Sequence, residues 1–183
     1  MLSVQEAKAH CRIDHADDDA FITTLIAAVE SHLDGYWGIL GRALVNQTWK
    51  ITTDEWPSSI DGLRLPFPSV QSVTTVKYYD SLNVQQTWPS PNYFLREDPL
   101  SPYLEWVQNV SFPTIYDRDD SIEVTFVAGY GAAANDVPAA IRAGALMMVG
   151  GLYEMRESAL VGDSIAENPA VQSLLAPFRR IGL

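Results

Sequence analysis

Hydrophobic positions along this chain follow a helical period at both ends and a shorter one between them. Val4, Ala7, Ala9 and Cys11 supply small apolar positions behind a Ser3-x-x-Glu6 capping box, which predicts a short helix near residues 3–12. Ile22, Leu25, Ile26, Val29 and Leu33 then recur at three- and four-residue spacing as one stripe, with Glu30 and Asp34 off it. Asp17, Asp18 and Asp19 stand where negative charge favours the positive end of a helix dipole, so a second helix is expected near 17–37. Gly35 is its candidate C-terminal cap, and Tyr36 and Trp37 its candidate extension.

From Arg42 the texture changes. Eight of the 11 prolines fall between Pro57 and Pro113, and β-branched and aromatic residues gather in short runs. Strands are expected at Val45–Thr53, Val70–Tyr79, Val84–Trp88, Tyr93–Arg96, Tyr103–Val107 and Ile122–Val127. Asp80 to Asn83 reads as a hairpin turn, and Pro89, Pro91, Pro99 and Pro102 mark loops. No crossover helix fits between these runs, so their pairing should be antiparallel.

Helical texture returns after Gly131, with Asn135 or Asp136 as a cap and Pro138 in the first turn. From Ala139 to Tyr153, 14 of 15 residues are apolar or glycine, Arg142 being the exception, and a helix near 137–157 that is apolar all round is expected to be buried all round. Ala140, Gly144 and Met148 share a row, and Gly150 and Gly151 bare the backbone for close approach. A polar loop after Glu157, containing Gly162, leads to Asn168-Pro169 and a last helix near 169–179 through Val171, Leu174, Leu175 and Phe178. The predicted fold is α+β: a small helical core with an inserted antiparallel β lobe, divided as 1–41, 42–133 and 134–183. The third helix carries more apolar surface than the other helices would cover, leaving the β lobe or another subunit to cover the rest. Ile141, Gly144, Met148 and Leu152 are the positions expected to pack against a neighbouring subunit.

Composition narrows the function classes. The 183 residues carry 12 Lys and Arg against 23 Asp and Glu, a formal charge of -11 that disfavours gripping nucleic acid or an anionic membrane. A single cysteine, Cys11, allows no intrachain disulfide, and no zinc-ligand spacing occurs, which fits a reducing compartment. Glu6 and Lys8 interrupt any apolar leader, and the run Ala143–Tyr153 falls short of the roughly 18 residues of a membrane span, so neither a secretory signal nor a span is expected.

Candidate chemistry is sparse. Asp14, His15, Asp17, Asp18 and Asp19 are the densest polar cluster, but the calcium-loop spacing is absent and acids opening a helix explain them better. Cys11 with His15 or His32 could be drawn as a nucleophile and base; a small thiol on the inner face of the first helix is the plainer account. Ala128 to Gly131 lacks the Lys-Ser/Thr of a phosphate loop and reads as a turn leaving a strand. Trp37, Trp49, Trp56, Trp88 and Trp106 could form a carbohydrate platform or, as base rates favour, core and subunit contacts. No cofactor or metal is implied, and no active site is evident.

Several landmarks recur in order: Leu2-Ser3 with Glu6-Ala7-Lys8; the Asp17–Asp19 run into a helix ending near Tyr36; Gly41-Arg42-Ala43-Leu44 with Gln47-Thr48-Trp49; Leu65-Pro66-Phe67-Pro68 with Ser72, Val73, Val76 and Tyr78; Ala128-Gly129-Tyr130-Gly131; and Val137-Pro138, Ile141-Arg142 with Tyr153, Glu154 and Arg156. This series resembles the head-tail connector (adaptor, or head-completion) proteins of long-tailed bacteriophages and gene transfer agents, in the variety with a β insertion. The resemblance implies a structural virion protein without catalysis. It implies a ring, dodecameric in the particle, that sits below the portal protein and meets stopper or tail-completion proteins at the head-tail joint. DNA would pass without specific binding, no membrane is involved, and the chain would occupy the host cytoplasm during assembly. Trp37 to Leu40 lengthen the link between Tyr36 and Gly41-Arg42 beyond the family pattern. The amphipathic, partly basic stretch from Asn168, with Leu174, Leu175, Phe178, Arg179 and Arg180, is expected to dock on the portal. Rival readings are a small binding module using exposed tryptophans of the β lobe on a glycan or host surface, an enzyme built on Cys11, and a neighbouring connector ring such as the stopper.

Overall fold

The computed structural model describes residues 1–57, 62–155 and 168–180. Two compact units emerge, one of Met1–Val45 with the described residues from Tyr130 to Arg180, the other spanning the described residues of Asn46–Gly129.

The first unit is helical. Helix α1 (Val4–Cys11) opens on a complete capping box, in which Ser3 Oγ accepts from the Glu6 N–H at 3.2 Å while the Glu6 carboxylate accepts from the Ser3 N–H at 2.9 Å. Helix α2 (Asp19–Leu33) buries Ile22, Leu25, Ile26, Val29 and Leu33, the whole of its apolar stripe. It stops short of Tyr36 and Trp37, contrary to expectation. Gly35 sits at φ +81°, a left-handed conformation that reverses the chain, and pairs with Arg42 in an isolated antiparallel bridge.

Helix α3 (Ala139–Glu154) follows a 3-10 turn at Ala134–Asp136, where Asp136 bonds back to the Ala133 N–H at 2.8 Å instead of capping α3. Asn135 accepts from Arg142, so neither expected cap serves. Only one side of α3 is buried, through Ile141, Gly144, Ala145, Met148 and Val149, while Ala139 and Ala143 stay exposed. All-round apolarity therefore did not bring all-round burial within one chain. Helix α4 (Pro169–Leu175) continues as a 3-10 turn over Ala176–Phe178. The expected polar loop with Gly162, and the end of the third helix at 156–157, lie outside the described residues.

The second unit is antiparallel β throughout its described strands. Strands β1 (Gln47–Thr53), β3 (Val70–Tyr79), β4 (Gln85–Trp88) and β7 (Ile122–Ala128) form a sheet in the order β1-β7-β3-β4. Strands β2 (Leu63–Arg64), β5 (Tyr93–Glu97) and β6 (Pro102–Trp106) form another, in the order β2-β6-β5. Strand β7 sits centrally, and its Ile122, Val124, Phe126 and Ala128 are buried in strict alternation. The Asp80–Asn83 turn joins β3 to β4, and the Asp80 carboxylate holds it by accepting from the N–H groups of Leu82 and Val84, each at 3.0 Å. The two-residue strand β2 carries too short a pattern for sequence to reveal it.

Candidate docking surfaces

The chain's last described segment is tied down by side chain and backbone alike. Asn168 Oδ1 accepts from the Ala170 N–H at 3.0 Å, with Pro169 in the first turn of α4. Leu175 is buried against Gly144, where an added Cβ would lie 3.0 Å from the leucine side chain. The Arg180 N–H donates to the Leu40 carbonyl at 2.9 Å. Of the residues expected to meet a portal, Leu175 is thus spent inside its own unit, Leu174, Phe178 and Arg180 are half-buried, and Arg179 is exposed, bonded to Gln172 at 2.6 Å. The same holds on α3, where Ile141, Gly144 and Met148 face their own unit's core, and Leu152 is half-buried. These buried positions are intramolecular contacts in the chain. A Cβ at Gly151, by contrast, would meet nothing within 4 Å.

The link after α2 is pinned at several points. The Asp34 carboxylate accepts from the Leu44 N–H at 2.7 Å, the Ile39 N–H donates to the His32 carbonyl at 2.9 Å, and the Gly41 N–H donates to the Gly38 carbonyl at 2.9 Å. Gly38 is required there, because a Cβ would fall 2.4 Å from the Asp34 carbonyl oxygen. Leu40 and Leu44 anchor the link in the core. Between these anchors Trp37 stands 92% exposed, edge-on to the Tyr36 ring at 5.0 Å, and the Arg180 guanidinium lies over that tyrosine at 5.6 Å. Sequence reasoning ranked Trp37 with four other tryptophans; only the unusual length of the link marked it.

The polar candidates are absorbed locally. Lys8 pairs with Asp19 at 2.7 Å, and the Tyr153 hydroxyl donates to Asp18 at 2.5 Å. Among the described residues no three His, Cys, Asp or Glu side chains come together as metal ligands. Cys11 is half-buried beside Gly150, rather than fully inside, and burial followed by the Glu154 charge pushes its thiol up, away from the nucleophilic thiolate. Hydrogen bonds from the Ser3 N–H and hydroxyl, with Arg142 alongside, hold the Glu6 carboxyl below its ordinary range. Among the described residues, no helix is long and apolar enough to cross a membrane.

In the β unit the tryptophans stack on one another. The Trp56 ring lies 4.0 Å from Trp88, 5.9 Å from Trp106 and 5.3 Å from Phe112, and its indole N–H donates to the Pro113 carbonyl at 3.1 Å. Trp49 packs on Phe67 at 4.6 Å. No row of exposed tryptophans forms among them, since Trp88 and Trp106 are buried and Trp49 and Trp56 half-buried. A cleft of 730 Å³ opens beside Phe94, Tyr103, Trp106 and Phe112, but its charged pair, Arg96 and Glu105, is satisfied internally at 2.7 Å.

Residues 1–80 match the family of phage gp6-like head-tail connector proteins. The resemblance read from the ordered landmarks is thus met over the span holding α1, α2, the Trp37 link and the first strands. No curated protein matches the chain. Its fold is similar to that of a chain in the virion of a native gene transfer agent particle, with a TM-score of 0.72 and 21% identity, covering 100% of this chain and 91% of that one. It is similar also to a chain in the neck of an empty gene transfer agent particle with C6 symmetry, at a TM-score of 0.70, 21% identity and the same coverage. A third, in the neck of a native particle with C12 symmetry, gives a TM-score of 0.69 at 21% identity, covering 98% of this chain and 89% of that one. At such identity the likeness is one of fold, and it extends beyond the connector-matched residues to the remaining strands and the last helices.

Proposed function

We propose that the chain is a structural connector of the neck of a phage-like particle, an adaptor that forms a ring below the portal, completes the DNA-filled head and lets DNA pass. The observation that carries this reading is the fold likeness to two particle-neck chains over 100% and 98% of the chain, joined to the connector match over residues 1–80. The acidic balance supports it, because carboxylates along a channel let a phosphate backbone slide where lysines and arginines would hold it. Its partners would be the portal protein, stopper or tail-completion proteins and further copies of itself, probed best in the assembled particle. Nothing in this role calls for a reaction, and the matched family is named for a joint. A C-terminal docking contact with the portal would rest on the surface of Arg179, Leu174 and Phe178 and not on the buried Leu175.

Electron microscopy of particles from a strain lacking the gene tests the reading. Filled or leaking heads beside free tails, with infectivity restored by added purified protein, are the expected result. Normal tailed, infectious particles would overturn it. Loss of the stopper layer alone, with an intact layer beneath the portal, would move the chain to the neighbouring ring.

A further inference from the structure

We infer that the 730 Å³ cleft over the β5–β6 ladder is a binding site for a neutral oligosaccharide. Its volume is that of small-ligand sites. The ladder sets Phe94 opposite Glu105 and Arg96 opposite Tyr103, so these four side chains share one face of the sheet, and all four line the cleft. Tyr93, Leu104 and Trp106 belong to the other face and are buried, which leaves the first face to solvent. The two rings take one diagonal of the patch and the Arg96–Glu105 ion pair the other. Gln108 and Asn109 line the cleft from the adjoining turn. That turn is fastened by the Val107 N–H, which donates to the Asn92 carbonyl at 3.0 Å, and by the Val110 N–H, which donates to the Val107 carbonyl at 3.1 Å, with Asn109 left-handed at φ +62°. The Arg96 guanidinium is held too, lying over the Phe94 ring at 5.4 Å. Groups fixed before a ligand arrives lose little freedom on binding it.

The uncommitted polar atoms select the ligand. The ion pair uses one guanidinium N–H and one carboxylate oxygen, at 2.7 Å. The remaining N–H groups of Arg96, Oε1 of Glu105, the Tyr103 hydroxyl and the Gln108 and Asn109 amides have no hydrogen-bond partner among the described residues. Spare donors thus stand beside spare acceptors, and a ligand hydroxyl, which both donates and accepts, can answer either. The charges of Arg96 and Glu105 offset each other, so a phosphate or a metal ion finds no unopposed counter-charge. Phe94, 50% exposed, offers a ring whose negative face suits the slightly positive C–H groups of a sugar. A proline-rich peptide would use the rings but bring no N–H and no side-chain hydroxyl to the patch, leaving Oε1 of Glu105 unanswered. The inference goes beyond the neck reading and does not depend on it.

Isothermal titration calorimetry of the full chain with maltohexaose, cellohexaose, mannohexaose and chitohexaose, and with a proline decamer, tests it. At least one of the saccharides should bind with a Kd below about 1 mM, and with little dependence on salt because no net charge is matched. Phe94→Ala and Glu105→Gln should each weaken that binding by about tenfold. Gln108→Ala combined with Asn109→Gly should act similarly, the glycine keeping the left-handed turn while removing the amide. Leu82→Ala, an exposed apolar truncation outside the cleft, should leave binding unchanged, and every variant should keep the parent's circular dichroism spectrum. No binding of any of the saccharides at about 10 mM, or binding that all the cleft variants leave intact, overturns the inference. Binding of the proline decamer alone overturns it as well and gives the cleft to a peptide. None of these outcomes bears on the neck reading, which the gene-deleted particles decide separately.

Discussion

The two units bury apolar surface in contrasting ways. The helical unit relies on aliphatic stripes, with Leu33, Leu40, Ile141 and Leu175 among its fully buried side chains, and leaves part of α3 and all of Trp37 facing outward. The β unit gathers its rings into a closed cluster around Trp56, Trp88, Trp106 and Phe112. The richer aromatic content thus belongs to the unit that packs its tryptophans against other rings, although Phe94 and Tyr116 stay exposed there. The unit with the plainer composition presents the outward tryptophan, so aromatic content alone is a poor guide to which rings stay exposed.

The contrast breaks most readily at the aromatic cluster. Trp88→Ala should cost about 4 kcal/mol, the range for deleting a buried large aromatic, and should erase the near-ultraviolet circular dichroism of the lobe while helical signal persists. Leu33→Ala should cost the helical unit about 3 kcal/mol in a denaturant titration followed by helical signal. Gly144→Val forces a side chain against Leu175 and should cost about 2 kcal/mol in the same titration.

A subtler distinction lies in acid. Asp98 accepts a two-pronged bond from Arg64, at 3.0 and 2.8 Å, and the N–H groups of Leu100 and Ser101, and the Arg64 bonds hold its carboxyl far below the usual range. A depressed native value means the contribution is full above the unfolded carboxylate range and disappears as pH falls through the native value. Arg64→Ala should therefore shift acid unfolding of the lobe to higher pH, read by tryptophan fluorescence; an unchanged acid midpoint would show the pair to be idle. Trp37→Ala is expected to change stability by less than about 0.5 kcal/mol, since its ring is exposed, so thermal melts should overlay with those of the parent chain.

Much of this architecture was legible in the chain, for reasons that vary by element. Strand β3 appears at Val70–Tyr79 as expected, and the Ser3–Glu6 box forms as written, because β-branched runs and capping pairs act through neighbours in sequence. The end of α2 was overrun because the Asp34 bond to Leu44 and the bridge from Gly35 to Arg42 are set by residues further along the chain. For α3, periodicity told which residues are apolar but not which side the chain itself covers. The outward Trp37 was similarly hidden, since exposure is decided by the anchors on either side of it and not by the tryptophan.

The placement of β7 bears on how the chain could be re-engineered. The first and last strands of the lobe are sewn together, Gln47 opposite Ala128 through to Thr53 opposite Ile122. In the helical unit, the Tyr130 N–H likewise reaches the Leu44 carbonyl at 3.2 Å. Departure and return of the polypeptide are therefore neighbours, and a short bridging peptide could span the gap. Residues 46–129 could therefore be exchanged as one block for a short linker without redrawing the helices that remain.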